Sequence, residues 1–365
     1  MKYLKKFEEH QNYTAYTATT EFIRPNISVC KEYDDVHFNR YIFQDRYLTF
    51  KAVTNGTFQC TSAVSYSLND GQTWTSLAAN TASPTVSAGN EILWKANNPA
   101  TTSYGVGAFS STGQFEAYGN PLSLVSGDSF SQATTLVNYQ FYRLFSGCTG
   151  LTSAENVALP ATTLNTYCYS RMFYGCTSLT TAPELPATTL ENYCYQYMFQ
   201  GCTSLTTAPQ LPATTLTSNC YAYMFSGCTS LTTAPELPAT ALESLCYYNM
   251  FGGCTSLTTA PSVLPATTLA SDCYSRMFYR CTSLTTAPEL PATTLVSNCY
   301  FRMFYQCTNL NSITCLATDI SATSCLSSWV REVSASGTFT KAASMTGWPT
   351  GESGIPGGWT VVDAS

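Results

Sequence analysis

Seventeen cysteines stand in a chain of 365 residues that has only two histidines, His10 and His37. Regularly spaced thiols can hold zinc, close disulfides or act as nucleophiles, and the spacing decides which chemistry is open. Twelve of them form six pairs eight residues apart, from Cys168/Cys176 to Cys299/Cys307. Zinc sites use Cys-x2–4-Cys pairs, usually with histidine. No such pair occurs here, so no metal is expected. On a helix, eight residues separate two Cα atoms by roughly 12 Å, beyond the roughly 7 Å reach of a disulfide. Helices of neighbouring units would stand roughly 8–10 Å apart, which disfavours bridges between units. The expected state is therefore a set of buried, unpaired thiols packed as small hydrophobes, suited to a reducing compartment.

Other reactive constellations are missing as well. There is no Gly-x-Ser-x-Gly, phosphate loop or His-Glu-x-x-His. Glu184, Glu236 and Glu289 recur singly, not as the facing pair that glycoside hydrolysis needs, and read as solvated surface. The stretch from Ser67 to Trp74 resembles the Asp-box hairpin of sialidase propellers, with Asn69 where the Asp belongs. It occurs once, so it reads as a structural turn whose Trp packs inward. No catalytic residue and no cofactor is expected, and the chain reads as a non-enzyme.

Charge narrows the partners. Formal charge is −6, the pI is near 5.0, and charged residues make up 10% of the chain, against roughly 25% in ordinary domains. No Lys or Arg run suggests nucleic acid. Thr, Ser and Tyr carry the polarity, which suits a glycan or a host or bacterial surface protein. No stretch approaches the roughly 20 apolar residues of a membrane span, so no membrane insertion is expected. Met1 to His10 has basic residues without an apolar run behind them, unlike a standard signal peptide. On that reading the chain is made and kept in a cytosol, or released from one by lysis.

The elements that must position these residues are repeats. The stretch from Cys168 to Leu190 recurs with leading cysteines Cys194, Cys220, Cys246, Cys273 and Cys299, at steps of 26 residues, or 27 where Val263 is inserted. A divergent first copy has Gln140 at the cysteine position, and a divergent last copy runs from Cys325 to Val330. About eight units with atypical ends imply a stacked solenoid. Cys168, Met172, Phe173 and Cys176 stay fixed, and their offsets of 0, 4, 5 and 8 fit one face of a short helix. Leu179 to Ala182 is a short strand closed by Pro183. The positions that vary, at offsets 2, 3 and 6, fall on the opposite face. They supply a candidate binding set: Arg171, Tyr174, Tyr197, Tyr223, Tyr248, Arg276, Tyr279, Arg302 and Tyr305. Tyr and Arg are enriched at binding hot spots, while plain drift on a solvated face would also scatter Ser, Gly, Ala and Asn there. A Thr ladder, Thr180/Thr181 to Thr285/Thr286, is a second candidate surface, or simply β-branched residues suited to a sheet.

The Met-Phe-x-Gly-Cys-Thr-Ser-Leu core resembles the BspA-like (treponemal-type) leucine-rich repeats of Bacteroides and other gut bacteria. The run Gly354 to Val361 looks like the closing strand of such proteins. The resemblance implies an α/β leucine-rich-repeat solenoid, a short strand plus a short helix per unit, used for adhesion or binding and with no catalytic position. The opening block, Lys5 to Asn39, resembles the leader of proteins in gut Bacteroides phages and prophages. That likeness implies a virion surface protein anchored to other virion proteins through residues 1–40 and recognising host cells. A bacterial cell-surface adhesin and a purely structural virion component are the alternatives, and a homo-oligomer is open. Ahead of the repeats, residues 41–128 alternate apolar and polar with turn signals. Tyr47 to Val53 reads as a strand followed by an Asn55-Gly56 hairpin, Ser65 to Thr75 as a second hairpin, and Glu91 to Ala96 as a third strand. The expected organisation is an anchor (1–40), an Ig-like β-sandwich (41–128), the solenoid (129–335) and a C-terminal cap of one or more strands (336–365).

Overall fold

The computed structural model describes residues 43–98, 107–132 and 136–365. The expected anchor, 1–40, lies outside them, as does Cys30. Residues 40–365 form one compact unit.

The front of this unit is built from β1 (Leu48–Ala52), β2 (Phe58–Cys60), β3 (Val64–Ser67), β4 (Thr75–Leu77), β5 (Glu91–Lys95), β6 (Phe109–Ser111) and β7 (Phe115–Gly119). A four-residue helix, α1 (Ser123–Ser126), follows, and then β8 (Leu151–Val157), the first strand of the repeats. One sheet has the order β4-β3-β5-β1-β7-β8, and β2 pairs with β6 in a short second layer. The apolar alternation sends Phe50 and Trp94 from the large sheet against Phe58 and Phe109 of the small one, with ring centroids 4.9–6.3 Å apart. The expected β3–β4 hairpin forms, with Ser65 opposite Ser76. Asn55-Gly56 does not close a hairpin. β1 pairs antiparallel with β5 and β7, and Gly56 bridges to Val86 instead.

β7 and β8 pair in parallel, so the front sheet runs directly into the repeats. Main-chain bonds from Phe109 N to Leu144 O (2.8 Å) and from Phe115 N to Gly150 O (2.9 Å) tie the first coil to it. At the end of β7, Gly119 has φ +84, and a Cβ there would lie 2.1 Å from the Tyr47 carbonyl oxygen, so no other residue fits.

The expected helix of each repeat is absent. From Cys168 to Cys176, alternate amides bond three residues back: Cys168 to Asn165, Ser170 to Tyr167, Met172 to Tyr169, Tyr174 to Arg171 and Cys176 to Phe173. The amides in between bond sideways to the next coil: Tyr169 to Cys194, Arg171 to Gln196, Phe173 to Met198 and Gly175 to Gln200, at 2.8–3.0 Å. The backbone is left-handed at Tyr167, Arg171 and Gly175, every fourth residue, which an α-helix cannot accommodate. Each coil is thus a run of linked tight turns, hydrogen-bonded edge to edge with its neighbours. The strand after it shrinks to single bridging residues such as Thr207 opposite Thr233. Regular strands return at the end, where β9 (Ser312–Cys315), β10 (Thr338–Lys341) and β11 (Thr360–Asp363) form a parallel sheet.

Lateral bonding sets the core. Identical rings stack coil on coil: Phe173 on Phe199 at 5.3 Å and 2°, and Phe199 on Phe225 at 5.6 Å and 1°. A second column, Tyr169, Tyr195, Tyr221, Tyr247, Tyr274 and Tyr300, is equally buried. The 8–10 Å between units expected from helix packing therefore does not hold. All sixteen described cysteines are buried and unpaired. Those at offset 8 also act as donors: Cys176 Sγ donates to Phe145 O (3.0 Å), Cys202 to Phe173 O (3.0 Å), Cys228 to Phe199 O (3.1 Å) and Cys307 to Phe278 O (2.9 Å). Burial pushes these thiols up, Cys202 and Cys307 to about 12, so they keep their protons. At the far end Trp329 takes the Met position. Its indole donates to Gly354 O at 2.8 Å and stacks on Trp348, closing the core.

Candidate recognition surface

The left-handed residue at offset 3 turns its side chain away from the core, and the residue at offset 6 follows on the same side. Eight of the nine candidate residues stand at these two offsets, and Tyr248, at offset 2, joins them by meeting Tyr223 and Arg276 of the coils on either side. The Arg171 guanidinium lies 5.7 Å from the Tyr174 ring and 4.4 Å from that of Tyr197. Tyr197 stacks on Tyr223 at 4.6 Å and 13°, and Tyr223 meets Tyr248 at 5.2 Å. Arg276 follows, 5.9 Å from Tyr248 and 5.7 Å from Phe301. Arg302 lies 5.0 Å from Phe301 and 5.6 Å from Tyr305, which stacks on Tyr279 at 5.3 Å. Cations over ring faces hold both partners in place at modest energy. Burial, followed by the neighbouring Tyr248 phenol, raises Tyr223 above the usual phenol range, and burial likewise raises Tyr197. Both stay neutral donors.

Not every variable position faces outward. At offset 2, Ser170, Ala222 and Ser275 are fully buried, while Tyr248 and Phe301 are half-buried. This corrects the reading of offset 2 as solvent-facing. The cause is the period of four in the turns, which turns that position toward the adjacent coil. Sequence reasoning also missed three members of the surface. Tyr139, Tyr167 and Tyr193, one residue before the leading position of each coil, stack at 4.8 Å and 4.6 Å. Arg280 and Gln306 replace the left-handed glycine of earlier coils, and Arg280 Nε donates to Gln306 Oε1 at 2.7 Å. The signal for the tyrosines was a single residue type kept at one offset through three consecutive units.

The offset-6 column of this surface is interrupted. At offset 6 the tyrosines give way to Ser226 and Gly252, leaving a depression of about 350 Å3. Tyr223, Asn249, Arg276, Tyr279, Arg280 and Arg302 are among its walls.

The other candidate features are structural in their contacts. Thr180 and Thr258 hydroxyls donate to Thr152 and Thr232 carbonyls at 2.9 and 3.2 Å, joining coils on the exposed strand side. The Glu236 carboxylate accepts from the Ser262 amide and hydroxyl of the next coil. In the Asp-box-like turn, Asn69 Oδ1 accepts the Thr73 amide at 3.0 Å, and Trp74 is half-buried between Tyr47 and the Lys95 ammonium. Among the described residues, no cluster of three or more His, Cys, Asp or Glu could hold a metal ion, and no helix is long and apolar enough to cross a membrane.

A solenoid of short parallel coils with a variable row on one side is the architecture of a repeat protein. The family model for the BspA type leucine rich repeat region (6 copies) matches residues 141–258 and 221–344, and the chain belongs to that family. The match indicates a repeat family and no catalytic one. No curated protein matches the chain. Among solved structures, a leucine-rich repeat protein from Bacteroides ovatus is 14% identical, over 61% of this chain and 77% of that one, with a TM-score of 0.21. A superposition at that score supports no further conclusion.

Proposed function

We propose that the protein is a non-enzymatic binding or adhesion protein that recognises a cell-surface glycan or protein through the Arg/Tyr row of its solenoid. The observation that carries this reading is the division within each coil. Cys, Tyr, Met and Phe are fixed and fully buried, whereas Arg171, Tyr197, Tyr223, Arg276 and Arg302 vary and form one connected outer row. Stability and specificity thus reside in different residues of the same coil. Rigid Tyr and Arg anchors are the types that dominate binding energy at interfaces.

The carrier is proposed to be a virion that displays the chain through residues 1–40. This rests on the opening residues alone, and family membership is equally consistent with a bacterial cell-surface adhesin. For the front sheet we propose an Ig-like sandwich, supported by its two layers and by Trp94, buried on β5 between them. The test replaces Tyr197, Tyr223, Arg276 and Arg302 together with Ala and measures attachment to Bacteroidales cells. The expected result is weakened attachment with an unchanged melting temperature. Undiminished attachment rules out this face.

A further inference from the structure

The depression at Ser226 and Gly252 has an uncompensated charge. Three guanidiniums, Arg276, Arg280 and Arg302, line it together with Tyr223 and Tyr279, and no carboxylate does. Among the described residues none of the three arginines has an ion pair, although the chain as a whole is acidic. The Nε atoms of Arg276 and Arg302 are buried with no hydrogen-bond partner. Arg276 and Arg302 come from successive coils, held roughly one strand spacing apart by the lateral hydrogen bonds. Three like charges around one depression, with no carboxylate beside them, repel. A planar or tetrahedral oxyanion in the depression offsets that charge, because guanidiniums bind carboxylate and sulfate through charge-assisted, often paired, hydrogen bonds.

The remaining walls suit a sugar. Tyr279 stacks on Tyr305 on one side and has the space at Gly252 on the other, where the apolar side of a pyranose can lie. Asn249, whose amide donates to Ser226 Oγ at 3.1 Å, offers neutral hydrogen-bonding groups. An acidic peptide would use the charge but not this combination of rings and amides. We infer that the depression at Gly252 binds an anionic saccharide, a pyranose bearing a carboxylate or a sulfate, with the acid group on Arg276 and Arg302. The inference rests on the recognition reading above and names its ligand class.

The test titrates the full chain by calorimetry with four probes: an oligogalacturonate, a sulfated chondroitin oligosaccharide, a neutral chito-oligosaccharide and a hexaglutamate peptide. One or both acidic sugars bind, and the pair tells carboxylate from sulfate. Binding weakens as salt rises. The double variant Arg276→Gln/Arg302→Gln weakens it by at least about tenfold. Gly252→Tyr, whose Cβ would lie 2.3 Å from Asn249 Oδ1, displaces the Asn249 amide as it fills the space with the residue that Tyr279 and Tyr305 place at the same offset, and weakens it similarly. Lys51→Gln, exposed on β1 of the front sheet and outside the Arg/Tyr row, leaves it unchanged. Equal binding of the neutral sugar, tighter binding of the peptide, or indifference to both pocket variants overturns the assignment. If no sugar binds but row variants still lose cell attachment, the ligand class fails and the recognition surface stands. If attachment survives the row variants, the recognition surface itself fails.

Discussion

Cys228 offers a sign test of what the thiols do. Its side chain is fully buried, and its Sγ lies 3.1 Å from Phe199 O, a carbonyl that already accepts the Cys202 amide at 3.0 Å. Cys228→Ala removes one sulfur and one weak donor without orphaning the carbonyl. The void is smaller than that of a buried Leu→Ala change, so the cost is about 1–2 kcal/mol. Cys228→Ser separates the two roles. If the thiol is a donor, the hydroxyl takes over the bond and serine costs no more than alanine. If the thiol only fills space, serine buries an unpaired hydroxyl and costs about 1–3 kcal/mol more than alanine. Urea unfolding under reducing conditions, with m held constant across the three proteins, reads the difference directly. Serine less stable than alanine by more than about 1 kcal/mol refutes the donor role.

Two further outcomes follow from the same core. Phe199→Ala removes a ring stacked on both Phe173 and Phe225 and should cost about 3–5 kcal/mol; a loss below about 1 kcal/mol by the same assay would contradict the stacked column. Stability should also fall in alkali. Cys202, Cys254 and Cys307 are held by burial at about 12 against an ordinary 9.0. Above the lower value the unfolded chain sheds protons that the folded chain keeps. Stability is complete below about pH 9 and declines toward pH 12, by up to about 1.4 kcal/mol per pH unit for each thiol. A flat urea midpoint from about pH 8 to about pH 10.5 would count against the buried, protonated ladder.

The repeat, its ends and its buried side chains were legible because near-identical copies expose which positions never change. Cys168, Met172, Phe173 and Cys176 are all fully buried, as their constancy implied. The backbone that buries them was not legible. Over nine residues, a period of four and a period of 3.6 place nearly the same side chains inside, so linked turns and a helix give one pattern. What separates them is glycine: Gly175, Gly201, Gly227 and Gly253 are all left-handed, and a regular glycine inside a nine-residue helix has no use there. The argument against bridges between units rested on helix spacing and fails, since adjacent coils lie far closer than packed helices do. The Arg/Tyr row was legible from residue type and offset. Its gap at Ser226 and Gly252 was not, because a depression depends on what stands beside it in neighbouring coils.

The left-handed residues have a consequence for assembly. Tyr167 and Arg171 hold positive φ without being glycine, at about 1–2 kcal/mol each, and the lateral bonds that offset this exist only once an adjacent coil is in place. A lone unit has nothing to hold it, so growth must start from a surface already folded. β7, exposing its edge to β8, is such a surface. Because the buried Cys, Tyr, Met and Phe contacts repeat at each joint between the regular coils, excising or duplicating one whole 26-residue unit rebuilds the same core joint and alters how far the array reaches.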